Sequence, residues 1–362
     1  MLDLAAFQGK RVLVTGHTGF KGSWLCRILL LAGCEVTGFA LEAPTDPSLF
    51  ALAGLSDSIR DILGDVRDLD ALKNAFQEAK PDYVLHLAAQ PIVRESYEKP
   101  VETFETNVMG TVNVLECVRQ TSTVRSFLNV TTDKVYLNRE WPWGYREEEM
   151  LDGYDPYSNS KSCSELVTHS YVRSFFGGED APAVSTARAG NVIGGGDFAR
   201  DRIIPDAVRA VTSGKVIPVR NPYSVRPYQH VLEPLFAYLT IVQMQEKDRS
   251  LAGWYNVGPE DASCVTTGEL MDLFVHAWGD GARWEARGEE HAVHEANFLR
   301  LDCAKIRSAL GWRPVWTIAR AIEETAQWTR TWHTGGDIAQ EMDREILRYR
   351  EDAERAGLQV GK

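Results

Sequence analysis

The strongest constraint on the fold is a glycine-rich stretch near the N-terminus, GHTGFKG, which follows the apolar run RVLVT and precedes a helix expected to start near Phe20. Gly16, Gly19 and Gly22 have the spacing G-x-x-G-x-x-G. Glycine lets the backbone turn sharply and approach a ligand closely, and a helix N-terminus presents free N–H groups to an anion. The order of strand, loop and helix therefore predicts the pyrophosphate cradle of a dinucleotide-binding domain.

Short β-branched runs alternate with amphipathic segments through the first half of the chain, from RVLVTG to FLNVTT. This alternation predicts βαβ units, so we expect an α/β fold with a Rossmann-type doubly wound parallel sheet. Beyond about residue 190, Gly- and Pro-rich stretches predict a smaller, mostly helical C-terminal lobe. The expected division is a Rossmann domain at 1–190 with a returning segment at about 228–258, a substrate lobe at 191–227 and 259–334, and a C-terminal helix at 335–362.

Charge and cysteine content narrow the class of protein. With 39 basic and 51 acidic residues the net charge is -12, which disfavours binding to nucleic acid or to an anionic membrane surface. The N-terminus has no basic segment followed by an apolar one, and the run ILLLA is far too short for a membrane span, so we expect a cytoplasmic protein. The six cysteines show no CxxC spacing, so neither a zinc site nor a disulfide framework is expected.

Two patterns near the C-terminus have structural explanations. His291 and His294 lie three residues apart, but no third ligand-rich segment is evident, so we expect a solvated charged helix and no metal site. An apolar stripe with spacings of four and three predicts either a packed terminal helix or a subunit contact. The stripe consists of Ile338, Met342, Ile346, Tyr349, Ala353 and Ala356.

A tyrosine and a lysine in the stretch YSNSK suggest the reacting centre. Tyr157 and Lys161 stand four residues apart, so a helix places both on one face. An ammonium group beside a phenol favours the phenolate, which turns a group with an ordinary pKa of about 10 into a base that works near neutral pH. The pair can therefore take a proton from a substrate hydroxyl.

Several residues around the predicted cradle leave alternatives open. His17 and Lys21 can bring positive charge to the phosphates, crowd the site, or face solvent. Asp65 either binds an adenine amine or caps a helix. The second strand ends at Ala40, and no basic residue follows it before Arg60, which favours NAD over NADP as the cofactor.

Nearly the whole chain resembles the extended short-chain dehydrogenase/reductase superfamily, in its nucleotide-sugar branch. The stretches that carry the resemblance occur in the order of the superfamily: HLAAQ, ETNVMGTVNVLE, TTDKVY, YSNSK, RAGNVIGGGDF, RPYQHVLEPL and YNVGP. GHTGFKGSWL, AAQPIVRESY, TTDKVY and RPYQHVLEPL are most similar to the sugar-nucleotide dehydratases that act on CDP-glucose. The resemblance implies CDP-glucose as the substrate, NAD as the cofactor, a homodimer or homotetramer, and a place in deoxysugar precursor biosynthesis.

The resemblance also implies roles at the end of a strand, TTDKVY. Thr132 would orient the C4 hydroxyl, and Asp133 would be the acid for the leaving group. Lys134 stands where relatives that use dTDP-glucose carry a glutamate. It can act as the C5 base only if its pKa is lowered by several units, so we prefer a role as a cation that stabilises the enolate.

The implied reaction oxidises the sugar at C4, eliminates water across C5 and C6, and returns the hydride to C6, while Lys161 holds the cofactor ribose and lowers the pKa of Tyr157. A 4-epimerase would use the same pair but needs no acid, so Asp133 argues against it. A nucleotide-sensing protein without catalysis would be expected to have lost the pair, and both of its residues are present.

Binding residues follow from charge and from the resemblance. Residues 188–226 contain seven Arg or Lys and three Asp, and a guanidinium can bind a diphosphate in bidentate fashion. We expect Arg200, Arg209 and Lys215 to form a solvated face and His230 to be a buried histidine. The expected substrate-binding residues are Arg94, Asn191, Arg202 and Arg226. The expected cofactor-binding residues are Gly16, Thr18, Gly19, Phe20, Lys21, Gly22, Asp65, Val66, Leu87, Ala88, Ala89, Tyr157 and Lys161.

Overall fold

The computed structural model of the chain describes residues 2–288 and 298–358. Within these ranges the strands are β1 (Arg11–Thr15), β2 (Glu35–Ala40), β3 (Arg60–Leu63), β4 (Tyr83–His86), β5 (Ser126–Thr132), β6 (Ala183–Ala189), β7 (Val192–Ile193), β8 (Ile217–Val219), β9 (Val225–Pro227), β10 (Gln229–His230), β11 (Trp254–Val257), β12 (Cys264–Thr266) and β13 (Trp284–Ala286).

The α-helices of the same ranges are α1 (Phe20–Leu31), α2 (Leu49–Leu52), α3 (Leu69–Ala79), α4 (Val93–Glu98), α5 (Pro100–Phe104), α6 (Gly110–Gln120), α7 (Pro156–Phe175), α8 (Ile203–Thr212), α9 (Leu232–Lys247), α10 (Thr267–Trp278), α11 (Ala304–Leu310), α12 (Ile318–His333) and α13 (Ile338–Arg355). A turn of π-helix, Glu105–Met109, joins α5 to α6.

The centre of the molecule is a seven-stranded parallel sheet in the order β11-β6-β5-β4-β1-β2-β3. Every residue of β4, β5 and β6 is buried, as expected for strands that are covered by helices on both faces. The α/β fold with a doubly wound parallel sheet, expected from the sequence, is therefore confirmed.

Strand order determines where a ligand can bind. From β1 the chain proceeds to β2 and β3 on one side, while β4, β5 and β6 continue on the other side. The order thus reverses between β1 and β4, and in such sheets ligands bind in the crevice beyond the carboxyl ends of the strands at this point. Thr15 at the end of β1 is aligned with Phe39 and His86, and Thr132 at the end of β5 is aligned with Ala189.

A smaller lobe combines helices with two two-stranded sheets, β8 with β13 and β9 with β12, and its β7 pairs with β10 of the returning segment. It has an apolar core of its own, in which α8, α10 and α12 pack together through Ile204, Leu270, Phe274 and Ile322, among others. The returning segment contributes β11 to the edge of the large sheet. For the folded chain we propose the domain division expected from the sequence.

The C-terminal helix packs against the chain itself. Ile338, Met342, Ile346, Tyr349 and Ala353 are buried in the large core, whereas Ala356 is exposed. Intramolecular packing therefore accounts for all of the predicted stripe except its last residue.

None of the described helices combines the length and apolar character needed to cross a membrane. Within 2–288 and 298–358, no group of three or more His, Cys, Asp or Glu side chains is arranged to hold a metal ion. His291 and His294 lie outside the described residues.

Candidate active site

The glycine loop after β1 is shaped by close contacts that exclude side chains. Gly16 has a φ of +77°, and a Cβ on it would lie 2.7 Å from the backbone nitrogen of Ala88. A Cβ on Gly22 would overlap the carbonyl oxygen of Gly16. Gly19 caps α1 without a side-chain hydrogen bond, so the first N–H groups of this helix are left for a ligand. The loop therefore offers backbone donors at the switch point of the sheet.

A single cleft of about 1790 Å³ runs from this loop to the smaller lobe. The structure brings every site residue expected from the sequence to its wall. The cleft is lined, among others, by Gly16, Thr18, Gly19, Phe20, Lys21, Gly22, Asp65, Val66, Leu87, Ala88, Ala89, Arg94, Thr132, Asp133, Lys134, Tyr157, Lys161, Asn191, Arg202 and Arg226.

Helix α7 carries the predicted tyrosine and lysine. Its N-cap, Asp155, accepts hydrogen bonds from the backbone nitrogen of Ser158 at 2.9 Å and from its hydroxyl at 2.6 Å, which fixes the first turn. Tyr157 lies in that turn and Lys161 one turn further, and both are buried. The amine of Lys161 donates to the carbonyl oxygen of Val130 at 3.0 Å. The helix is therefore held against β5, the strand that ends in Thr132.

The electrostatics of the pair differ from the expectation that Lys161 acidifies Tyr157. Burial raises the pKa of Tyr157, and the groups that oppose this most are the Lys134 ammonium and the Thr132 hydroxyl. Burial also lowers the pKa of Lys161 to about 8. Desolvation, which helical spacing does not reveal, acts on both partners because α7 packs tightly onto the sheet.

A short 3-10 helix after β5 presents the second group of polar residues. The Thr132 hydroxyl donates to Oδ1 of Asp133 at 2.9 Å. The Lys134 Nζ lies 3.7 Å from Asp133 Oδ1 and 3.4 Å from the side-chain oxygen of Asn191. Asp133 is 1% exposed, and its Oδ2 has no hydrogen-bond partner among the described residues. A buried carboxyl oxygen without a partner can interact with a ligand in the cleft.

The smaller lobe contributes cations to the opposite wall. Arg202 pairs with Asp197 at 3.0 Å, and the buried Arg226 donates to the carbonyl oxygen of Val225. Arg220, which the sequence analysis counted only as part of the basic segment, also lines the cleft and pairs with Asp201 at 2.9 Å. Arg200 borders the cleft but is exposed, and Arg209 and Lys215 are exposed as well, in keeping with the solvated face expected for these three residues.

The two unusual residues of the glycine loop have different environments. His17 is fully buried, and its Nε2 lies 2.7 Å from Oδ1 of Asp61. Its ring fills the space where Gly38 lacks a side chain, so it neither faces solvent nor lines the cleft. Lys21 does line the cleft, and its amine donates to the Tyr238 hydroxyl at 3.2 Å. Burial, together with Arg202 and Lys161, lowers the pKa of Lys21 to about 7.

Asp65 lies in the wall of the cleft, whereas His230 lies in the interior of the protein. Asp65 does not cap α3, because that cap is Asp68; Asp65 lines the cleft and is held by the Arg67 guanidinium at 2.6 Å. His230 is buried outside the cleft lining, with Nε2 2.8 Å from Glu345 Oε1.

The sequence analysis missed a buried ion pair beneath the site. Glu165 of α7 and Arg188 of β6 pair at 3.0 Å, and both side chains are 0% exposed. A signal for Glu165 was present, because it follows Lys161 by four residues on the same helical face. Arg188, the partner of Glu165, could not be inferred from the sequence. It reaches Glu165 only because β6 pairs with β5 in the folded sheet.

This fold and this site define the class: a nucleotide-sugar enzyme of the extended short-chain dehydrogenase/reductase superfamily. A family model described as GDP-mannose 4,6 dehydratase matches residues 13–325, and the chain belongs to that family. It is 48% identical over 355 residues to the CDP-glucose 4,6-dehydratase of Salmonella typhimurium, covering 96% of this chain and 98% of that protein. It is 31% identical to the dTDP-glucose 4,6-dehydratase of Streptomyces antibioticus, covering 88% of this chain and 92% of that protein.

Solved structures agree with this assignment. The UDP-glucose 4-epimerase of Thermus thermophilus in complex with NAD is 27% identical, with a TM-score of 0.77 over 88% of this chain and 99% of that one. DesIV, a dTDP-glucose 4,6-dehydratase of Streptomyces venezuelae with NAD and TYD bound, is 25% identical, with a TM-score of 0.75 over 91% of this chain and 99% of that one.

Proposed function

We propose that this chain catalyses the NAD-dependent dehydration of CDP-glucose to CDP-4-keto-6-deoxyglucose. The observation that carries the proposal is the unpartnered, buried Oδ2 of Asp133, in the same cleft as Tyr157 and Lys134. An enzyme that expels water needs an acid at this place, whereas a 4-epimerase does not. The 48% identity to a CDP-glucose 4,6-dehydratase supports the same reaction and the same nucleotide.

The residues present fit NAD. The loop has no side chain where Gly16 and Gly22 approach other backbone atoms, and α1 begins at the cleft without a side-chain cap. NADP would require a cation near the ribose, but Arg60, the first basic residue after β2, pairs with Glu78 at 3.6 Å and does not line the cleft. NAD, when bound, supplies the group that accepts a hydride from C4 and returns it to C6.

The chain's own residues supply the proton transfers. Tyr157 would take the proton of the C4 hydroxyl, which Thr132 would orient. The Lys134 ammonium and the Thr132 hydroxyl favour the phenolate and so oppose the effect of burial on the pKa of Tyr157.

Once C4 is a ketone the C5 hydrogen is acidic, so a base in the cleft would take the C5 proton while Asp133 gives a proton to the C6 hydroxyl, which leaves as water. When the hydride returns to C6, the same base would give the proton back to C5. The Nζ of Lys134 lies 3.7 Å from Asp133 Oδ1 and 3.4 Å from the side-chain oxygen of Asn191, on the wall of the same cleft, which supports a role in stabilising the enolate.

The smaller lobe would hold the nucleotide. A diphosphate in an acidic protein needs local cations, and Arg94, Arg202 and Arg226 line the same cleft as Asn191. We propose that these four residues bind CDP-glucose. The site residues as a whole are proposed in the roles stated above, with Lys161 binding the cofactor ribose.

The test is incubation of the purified protein with NAD and, separately, CDP-, dTDP-, GDP- and UDP-glucose. Loss of water from CDP-glucose, seen by mass, together with a base-labile 4-keto chromophore, is the expected result. Asp133→Asn should oxidise C4 but release water at least about 100-fold more slowly. A product of unchanged mass would indicate an epimerase, and no reaction with any of the four would contradict the proposal.

Lys134→Met separates the two roles considered for that residue. If Lys134 only stabilises the enolate, elimination should slow while C4 oxidation remains measurable, and an added small amine should not restore it. If Lys134 is the base, elimination should stop and an added small amine should restore part of it. Undiminished elimination would contradict both roles.

We further propose that the protein forms a homodimer in the cytoplasm. The helices α5 and α7 and the π-helical turn contact one another and carry large exposed apolar side chains. These are Val101 (71% exposed), Met109 (50%), Leu166 (53%) and Phe175 (52%). All six cysteines are free, which suits a reducing compartment. Light scattering should give twice the chain mass, and Leu166→Glu should yield the monomer.

A further inference from the structure

The pair formed by Glu165 and Arg188 is bidentate and closed to solvent. Nε of Arg188 donates to Oε1 of Glu165 at 3.1 Å, and Nη2 donates to Oε2 at 3.0 Å. Neither residue lines the cleft. Removing two charges from water costs free energy that a buried ion pair often recovers only in part, so stability alone is a weak reason for such a pair.

The hydrogen bonds of the pair reach both sides of the catalytic strand end. The hydroxyl of Thr131, the residue before Thr132, donates to Oε1 of Glu165 at 2.5 Å. Nη1 of Arg188 donates to the Tyr136 hydroxyl at 2.8 Å, directly after the 3-10 helix that carries Asp133 and Lys134. The network thus joins α7 to the segment 131–136 at both of its ends.

Glu165 also acts on the charge of Lys161. The two residues are one helical turn apart on α7. Burial lowers the pKa of Lys161, and the Glu165 carboxylate opposes that decrease. Burial raises the pKa of Glu165, but the Arg188 guanidinium, together with His169 at 3.5 Å and the Thr131 hydroxyl, lowers it by more, so Glu165 stays ionised. The other titratable groups that interact with Lys161 are His86 of β4 and Lys21 of α1.

We propose that Glu165 and Arg188 are positioning residues for the proposed reaction: they hold Tyr157 and Lys161 in register with Thr132 and Asp133, and Glu165 places a buried carboxylate one helical turn from Lys161. The inference rests on the proposed function, because the alignment of α7 with the strand end at Thr132 and Asp133 affects activity only if both act on the same sugar. Neither residue touches the cleft, so both act through the residues they hold.

The main test is Glu165→Gln, which keeps the shape of the side chain and removes its charge. Glu233→Gln is the matched control, because Glu233 is also fully buried, accepts hydrogen bonds from Tyr349, Val315 and Trp316, and lies away from α7. Burial raises the pKa of Glu233 to about 7, so glutamine resembles its protonated form. Two quantities are measured: kcat and KM for CDP-glucose as a function of pH, and the acetylation of Lys161 by acetic anhydride as a function of pH, read by peptide mass spectrometry.

In Glu165→Gln we expect kcat to fall at least about 10-fold while KM changes less than about threefold, because substrate contacts remain. The alkaline limb of kcat and the midpoint of Lys161 acetylation should both move down by about one pH unit, since the carboxylate that raises the pKa of Lys161 is lost. Glu233→Gln should behave as wild type. A folded Glu165→Gln with wild-type kcat and acetylation would overturn the inference.

Two milder variants test the positioning role if Glu165→Gln does not fold. Thr131→Val and Tyr136→Phe each remove one link and leave the charges in place. Both should lower kcat without moving the Lys161 midpoint, and wild-type kcat in both would overturn the inference. If wild type does not dehydrate CDP-glucose, the proposed function fails, whereas the acetylation midpoint still decides whether Glu165 sets the charge of Lys161.

Discussion

The two halves of the cleft are built from different parts of the chain. Around the glycine loop the wall is mostly backbone and small side chains, with Gly16, Gly19, Ala88 and Ala89 among them. Toward the smaller lobe the wall is made of charged side chains, including Arg94, Arg202, Arg220 and Arg226. Both halves would bind a diphosphate, one through N–H groups and the other through guanidinium groups.

This difference has consequences for tolerance to substitution. A backbone cradle depends on the path of the chain, so one added carbon atom disturbs every donor at once. In the arginine half, several separate charges attract the diphosphate. Replacing one arginine therefore removes only its share of the binding free energy. We therefore expect the largest effects in the glycine half and smaller, graded effects in the arginine half.

The largest effect is expected for Gly22→Ala. Its Cβ would overlap the Gly16 carbonyl oxygen, so the loop must shift and the N-terminus of α1 with it. NAD affinity should weaken at least about 100-fold, a loss of roughly 2.7 kcal/mol. Calorimetric titration with NAD measures it. Gly177→Ala is the control, because a Cβ there meets nothing within 4 Å, and its NAD affinity should equal that of wild type. Equal affinity in Gly22→Ala would show that the cradle does not depend on this close contact.

An intermediate effect is expected for Arg226→Gln. Arg226 is buried in the wall of the arginine half, and losing one charge-assisted contact to the diphosphate costs about 2 kcal/mol, or about 30-fold in KM for CDP-glucose. NAD affinity should stay within about twofold, because the two halves are separate. Arg249→Gln is the matched control, since Arg249 bonds the carbonyl oxygens of Phe176 and Glu179 and none of these three residues lines the cleft. A parallel loss of NAD affinity in Arg226→Gln would mean that the halves are coupled.

The glycine half was easier to predict from the sequence than the arginine half. Its residues lie in one continuous stretch, and the backbone conformation that glycine allows is a local property. The position of Gly16, Gly19 and Gly22 between β1 and α1 therefore follows from the sequence alone. The strand end TTDKVY and the helix that carries Tyr157 could be located from the sequence for the same reason, because each is a short continuous motif in a regular element.

Other features depend on residues that are distant in sequence. The position of His17 is set by Gly38 on β2 and Asp61 on β3, so the loop sequence alone could not show that it is buried. The direction of the Tyr157 pKa shift depends on how deeply α7 packs, which helical spacing does not reveal. The pair of Glu165 and Arg188 likewise requires the register of β6 beside β5.

The smallest effect is expected for Asp201→Asn. Asp201 has a φ of +61°, which asparagine also tolerates, and it lies 2.9 Å from Arg220 and 3.8 Å from Arg94 at the mouth of the arginine half. Its carboxylate repels a diphosphate that approaches the same arginines, so removing the charge should lower KM for CDP-glucose about threefold. The effect should shrink in 0.5 M salt, because this exposed pair is screened. A higher KM instead would mean that Asp201 holds the two arginines in place for the substrate, and the arginine half would then depend on fixed geometry as much as the glycine half does.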